Sequence, residues 1–177
     1  MEPTYDKKFC LDHGPTLYNE IDWIKVQAKR SECFMAKSIV DYQYVDGGHI
    51  YQSVPFHPLV EYIMHKVNSD LRCNLNVCFA NRYEDEKDAL GWHSDDAFSI
   101  DQAQPIAVVS FGAEREIWWK PIGFKSPSIF PKEWRCKLEN GSLFTMPAGM
   151  QDTHMHKIPK HDSKCDWRIS LTFRALK

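Results

Sequence analysis

The stretch Arg168-Ile169-Ser170-Leu171-Thr172-Phe173-Arg174 constrains this 177-residue chain more than any other. Polar and apolar residues alternate strictly through it, the period of a β-strand with two unlike faces. Ile169, Leu171 and Phe173 call for a hydrophobic core on one side. On the other side, Arg168, Ser170, Thr172 and Arg174 leave two readings: an edge face turned to water, or an inward face carrying two guanidinium groups. Buried cations are costly unless anions pair with them. A small dicarboxylate would suit an inward face, because each guanidinium can fork a carboxylate through two hydrogen bonds.

From Asn74 onward, segments of the same kind recur. Asn76–Tyr83, Ile106–Phe111, Glu116–Lys120, Ser142–Met146, His154–Ile158 and Trp167–Arg174 are rich in β-branched or aromatic residues. Turn clusters such as EDEKD, FGAE, ENG and PAGM separate them. Before them, residues 16–30 place Leu17, Ile21, Ile24 and Ala28 at helical intervals, which predicts an amphipathic helix. Pro58 to Asn68 predicts a second, with proline at its start and Leu59, Ile63 and Val67 along one face. Between the two, Tyr42, Tyr44, Ile50 and Tyr51 flank Asp46-Gly47-Gly48, a hairpin signature. Helices followed by six or more strands read as an α+β fold with a mainly antiparallel sandwich or barrel. With 43% hydrophobic residues, the chain reads as one domain over residues 1–177.

Charge excludes less than usual. Twenty-two basic against 24 acidic residues give no net argument for a nucleic-acid partner, which would need a local basic surface. The segment from Lys157 to Lys177 offers one, with six Lys or Arg against two acids. The six cysteines form no C-x-x-C pair and no zinc-ribbon spacing, so reduced thiols are expected. No apolar leader core lies in MEPTYDKKFC and no run approaches transmembrane length. The expectation is an intracellular protein, not secreted and without a membrane partner.

The stretch Gly91-Trp92-His93-Ser94-Asp95-Asp96 holds an imidazole and a carboxylate two residues apart. On a strand that spacing sends both to one face. One further histidine would complete a two-histidine, one-carboxylate triad, the arrangement that holds Fe(II) and leaves coordination positions open. His154 and His156 both qualify, since they share a face of the strand-like QDTHMHKIP. Asn81 and Tyr83 share a face as well and can donate hydrogen bonds to an anion; a turn-capping asparagine beside an aromatic pair is the plainer alternative.

Taken in order, N-R-Y, W-H-S-D-D, S-F-G-A, H-K-I-P and R-I-S-L-T-F-R resemble the AlkB family of Fe(II)/2-oxoglutarate-dependent dioxygenases. The likeness runs from about Asp41 to Arg174 and is nearest to the branch that dealkylates nucleic acids. It implies a double-stranded β-helix, or jelly roll, over about 74–177, with flanking N-terminal helices and a hairpin nucleotide-recognition lid over about 38–54. It implies His93, Asp95 and His156 as the metal ligands, with His154 a neighbour. The resemblance further implies that Arg168, Tyr83 and Ser170 take the distal carboxylate of 2-oxoglutarate, and that Arg174 and Asn81 lie near the chelating one. Relatives usually carry asparagine where this chain has Ser170. Tyr44 and Tyr51 match the tyrosines that bracket the lid's turn, a stacking surface for an extruded base. Asp96, just beyond the metal aspartate, would reach the base, and Trp92 would pack beside it.

The implied reaction couples decarboxylation of 2-oxoglutarate by O₂, giving succinate and CO₂, to oxidation of an N-methyl group that leaves as formaldehyde. The expected substrates are bases such as 1-methyladenine and 3-methylcytosine in DNA or RNA, acted on by a monomer. Two alternatives remain: the same chemistry on an unmodified base or a protein side chain, and a non-enzymatic nucleic-acid-binding module in which the metal serves structure.

Overall fold

The computed structural model describes every residue except 1, 8, 10, 27–29, 44–49, 96–98 and 124–132. In chain order the elements are β1 (Thr4–Lys7), α1 (His13–Glu20), β2 (Ile24–Val26), β3 (Arg30–Ala36), β4 (Asp41–Tyr42), β5 (Tyr51–Gln52) and α2 (Pro58–Leu71). There follow β6 (Val77–Tyr83), β7 (Leu90–His93), β8 (Ile106–Gly112), β9 (Arg115–Pro121), β10 (Trp134–Leu138), β11 (Ser142–Met146), α3 (Met150–Thr153), β12 (His154–Ile158) and β13 (Arg168–Arg174).

The strands form a seven-stranded sheet ordered β1-β11-β8-β13-β6-β3-β2 and a four-stranded sheet ordered β10-β9-β12-β7. All pairings within them are antiparallel. From β6 to β13 the chain passes repeatedly from the larger sheet to the smaller and back, the winding of a jelly roll. β4 and β5 pair as a separate hairpin, Asp41 opposite Gln52 and Tyr42 opposite Tyr51. The predicted turn at 46–48 and Tyr44 lie outside the described residues.

β13 explains why the larger sheet is a partition between two cores. Ile169, Leu171 and Phe173 are fully buried in the cluster that α1 and α2 cover with Leu17, Val60, Ile63 and Val67, joined by Ile21 just past α1. Burying each such side chain contributes roughly 1.5–3 kcal/mol. The opposite face looks toward the smaller sheet, where Tyr83, Ile106, Val108, Ile117, Phe144 and Ile158 form a second cluster. β6, β8, β11 and β13 therefore each keep one face for the helix-covered core and one for the space between the sheets.

The N-terminal region departs from expectation. The predicted helix over 16–30 stops at Glu20, and the backbone at Ile21 is already extended. Leu17 and Ile21 are buried, but Ile24 is 67% exposed, so helical spacing there reflects no common apolar face. Trp23 Nε1 donates to the Tyr18 carbonyl and turns the chain at the helix end. β-branched Ile24 and Val26 then pair with Glu32 and Arg30, which extends the sheet past β6. Ala28 lies outside the described residues. α2 forms as expected and runs on to Leu71, started by Pro58 and by His57 Nδ1, which accepts from the Leu59 amide. No helix among the described residues is long and apolar enough to cross a membrane.

The turn from β8 to β9 depends on Gly112, whose φ is +87°. A Cβ there would press on the Trp167 carbonyl and lie 2.7 Å from its ring, while the next amide, of Ala113, donates to that same carbonyl. Gly112→Ala should therefore destabilise the fold by about 2–4 kcal/mol, read as a lower urea midpoint with unchanged slope.

Candidate metal centre and anion pocket

His93 ends β7 and His156 sits at the middle of β12, directly opposite it in the register. Their ring centroids are 4.2 Å apart. Asp95 follows β7 by two residues and is completely buried. One ligand atom from each of the three lies within 4.8 Å of the others, a group that could hold a metal ion. His154, two residues before His156, falls at the end of the sheet instead. Its Nδ1 is 2.8 Å from Thr153 Oγ1, and its ring is 6.0 Å from that of Trp134.

The local scaffold fixes each donor. His93 Nδ1 is 2.8 Å from the Gly91 carbonyl, so this nitrogen carries the proton and Nε2 is left with its lone pair. The Asp95 amide donates to Gln151 Oε1 at 3.0 Å, and Gln102 Nε2 donates to the Asp95 carbonyl at 2.9 Å. One carboxylate oxygen, Oδ1, accepts from Arg174 Nη2 at 2.6 Å. The other, Oδ2, is buried without a hydrogen-bond partner among the described residues and stands 3.9 Å from His156 Nε2. A buried carboxylate oxygen facing two imidazoles fits a divalent cation, which would satisfy all three donors together.

Electrostatics keeps these groups in their ligating forms. Burial pushes the Asp95 carboxyl up, but Arg174 and the two imidazoles outweigh it and hold it down to about 2. Burial and the neighbouring His93 lower His156 to about 3, and burial lowers His93 as well. Protons therefore compete weakly for the nitrogens. Fe(II) affinity should change less than about threefold between pH 6 and pH 8, whereas two ordinary imidazoles would lose roughly an order of magnitude on acidification. Anaerobic calorimetric titration at the two pH values checks this.

Beside the triad, one cavity is lined by His93 and His156 together with Asn81, Tyr83, Arg168, Ser170, Thr172 and Arg174. The polar side of β13 thus faces inward, the costlier of the two readings. Arg168 is completely buried. Its Nη2 donates to Ser110 Oγ at 2.9 Å, but Nε and Nη1 have no hydrogen-bond partner among the described residues. The Tyr83 ring lies 5.3 Å from the guanidinium, and its hydroxyl makes no well-formed hydrogen bond among the described residues. Burial lowers Arg168 to about 10, still far above neutral pH, so the cation persists. Three unsatisfied donors around a buried guanidinium fit the carboxylate of a small anion.

Other expected site residues fall elsewhere. Trp92 does not line the cavity. Adjacent strand residues point to opposite faces, so His93 facing inward turns Trp92 outward, where Lys120 and Lys157 Nζ lie 4.3 and 4.7 Å from its ring. Tyr51 is half-buried, with its ring edge-on to Phe79 at 4.9 Å. Asp96 and Tyr44 lie outside the described residues. Three contributors went unread in the sequence: Ser110, Gln151 and Arg30. Arg30 also lines the cavity, and its Nε donates to Asn81 Oδ1 at 3.0 Å, which turns the Asn81 amide nitrogen the other way. A serine inside the apolar run Ile106–Phe111 was a usable signal for Ser110; Arg30 was hidden by the helix expectation.

Comparison with known proteins agrees with this geometry. The family model described as the 2OG-Fe(II) oxygenase superfamily matches residues 16–174. Human alpha-ketoglutarate-dependent dioxygenase alkB homolog 3 is 26% identical over 196 residues, covering 99% of this chain and 68% of that protein. Human DNA oxidative demethylase ALKBH2 is 33% identical over 135 residues, covering 75% of this chain and 52% of that protein, so the likeness spans about half of ALKBH2. The solved structure of OsALKBH1 superposes with a TM-score of 0.59 at 15% identity, over 86% of this chain and 83% of that one, a likeness of fold.

Proposed function

Because the chain belongs to the 2OG-Fe(II) oxygenase superfamily, and within it to the AlkB family, we propose that it oxidatively removes alkyl groups from N-alkylated bases in DNA or RNA. The protein is an Fe(II)- and 2-oxoglutarate-dependent dioxygenase, and O₂ is its third reactant. The observation that carries the proposal is the shared cavity: a metal-fitting His93–Asp95–His156 triad opens onto the same space as the unsatisfied donors of Arg168. A nucleic-acid substrate is favoured by the named activity of ALKBH2 on DNA.

In this reading His93, Asp95 and His156 hold the iron. Arg168, with Tyr83 and Ser170, takes the distal carboxylate of 2-oxoglutarate, and Arg174 and Asn81 orient its chelating end. Arg174 has a second duty, since its bond to Asp95 Oδ1 leaves Oδ2 as the oxygen that would be available to a metal. Bound iron supplies the oxidation, in which O₂ converts 2-oxoglutarate to succinate and CO₂ and places a hydroxyl on the alkyl carbon. The resulting N-hydroxymethyl group collapses to formaldehyde and the free base nitrogen. The walls of Leu90, Val108, Ile117 and Ile158 exclude water from the reacting atoms. The β4–β5 hairpin acts as the lid over the substrate, with Tyr51 and Tyr44 as its stacking surface and Asp96 near the base. The protein works as an intracellular monomer.

Succinate release from the full chain with Fe(II), ascorbate and 2-oxoglutarate tests this. A 1-methyladenine or 3-methylcytosine oligonucleotide should raise it at least about tenfold, with formaldehyde formed in equal amount. Stimulation by unmodified nucleic acid or protein alone would contradict it.

A further inference from the structure

We propose that Glu32 is a specificity-determining residue: its carboxylate accepts a hydrogen bond from the exocyclic amino group of the extruded base, and so selects alkylated adenine and cytosine over alkylated thymine or uracil. This rests on the nucleic-acid reading above and adds the class of base.

Glu32 lies on β3, the strand the sequence hid, and is 2% exposed. One oxygen, Oε1, is held by the Arg30 guanidinium. The other, Oε2, is buried and has no hydrogen-bond partner among the described residues. A carboxylate oxygen left in that condition is costly, and it asks for a donor. The space beside it is a pocket of about 360 Å³, lined by Ile24, Glu32, Phe34 and Tyr51 among others. The other charged side chain at this pocket among the described residues, Lys25, is solvent-exposed.

The pocket adjoins the reaction site without being part of it. Glu32 stands opposite Asn81 in the register, and Asn81 opposite Ser170, all on the inward face. Two strand spacings put Glu32 on the order of 10 Å from Ser170, beyond the anion cavity but on its level. Phe79 is the shared wall: it lines the cavity, stacks on Phe34 at 5.9 Å and meets Tyr51 edge-on at 4.9 Å. Aromatic walls with a single buried acceptor suit a planar ring that presents a donor.

Chemistry then separates the bases. Alkylation at N1 of adenine or N3 of cytosine gives a cationic ring with an exocyclic amine beside the alkylated nitrogen. Both the charge and the donor favour Glu32. In 3-methylthymine the alkylated nitrogen is flanked by two carbonyl oxygens on a neutral ring, so acceptor would face acceptor.

The test compares kcat/KM on otherwise identical oligonucleotides bearing 1-methyladenine, 3-methylcytosine or 3-methylthymine. The wild-type chain should favour the first two over the third by at least about tenfold, and Glu32→Gln should shrink that ratio by about tenfold or more, because the amide can donate to a carbonyl. Should Glu32→Gln fail to fold, Glu32→Asp, which retracts the acceptor, should shrink it in the same direction. An unmoved ratio overturns the inference. So does a higher KM for 2-oxoglutarate with the ratio intact, since Glu32 would then act only through Arg30 on Asn81. Equal wild-type rates on all three lesions defeat this inference alone. Decarboxylation of 2-oxoglutarate with no response to any lesion defeats the nucleic-acid reading beneath it.

Discussion

Replacing Asp95 by alanine is expected to lower Fe(II) affinity by on the order of a thousandfold and to abolish turnover, and His93→Ala should do the same. Loss of a residue that merely orients a metal ligand typically costs 10–100-fold, and loss of a ligand costs more. Asp95 has a further effect. It neutralises Arg174 inside the protein through the 2.6 Å bond, so its removal leaves a buried cation next to two imidazoles and repels the metal. His154→Ala is the internal control. Its side chain bonds to Thr153 and lies outside the triad, so iron affinity and turnover should stay within about twofold of wild type. Metal titration and succinate release read both. Iron loss in His154→Ala with retention in His156→Ala would reverse the ligand assignment.

Arg168→Met should raise the KM for 2-oxoglutarate by roughly 100-fold or more, since truncating one partner of a buried ion pair costs about 3–5 kcal/mol. The same change should stabilise the protein when no cosubstrate is present. Arg168 is completely buried and, among the described residues, one of its nitrogens has a well-formed hydrogen bond, to Ser110, so the native fold carries the cost of a poorly solvated guanidinium. A methionine of similar length removes that cost. The predicted pair of results is therefore a higher melting temperature in the absence of 2-oxoglutarate and the loss of the stabilisation that added 2-oxoglutarate gives the wild type. A lower melting temperature with unchanged KM would mean that Arg168 serves the core alone.

How legible the site was depended on the period of each segment. The alternation in β13 put Arg168, Ser170, Thr172 and Arg174 on one face, and the fold uses that face as the cavity wall. Whether it looked inward or to water was beyond the strand itself; that depends on a second sheet packing over it. His154 and His156 could not be separated by spacing, because residues two apart share a face. Register decides between them: β12 places His156, not His154, across from His93. Alternation also separates Trp92 from His93: adjacent residues of β7 point to opposite faces, so this cavity takes the histidine and not the indole. The largest miss was β3. Leu17, Ile21, Ile24 and Ala28 keep helical spacing by coincidence, and only pairing with β6 makes Arg30–Ala36 a strand. Arg30 and Glu32 were lost with it, so the wall they build beside Asn81 was not readable from local pattern.

The most direct test of the whole account is an anaerobic addition of Fe(II) and 2-oxoglutarate, followed by the visible charge-transfer absorption of a keto acid chelating ferrous iron. The account predicts the band in the wild type and in His154→Ala, its loss in Asp95→Ala and His156→Ala, and its appearance only at far higher 2-oxoglutarate in Arg168→Met. A wild-type protein that binds iron yet never develops the band, or an Asp95→Ala protein that develops it fully, would contradict the claim that these side chains build one iron and 2-oxoglutarate site.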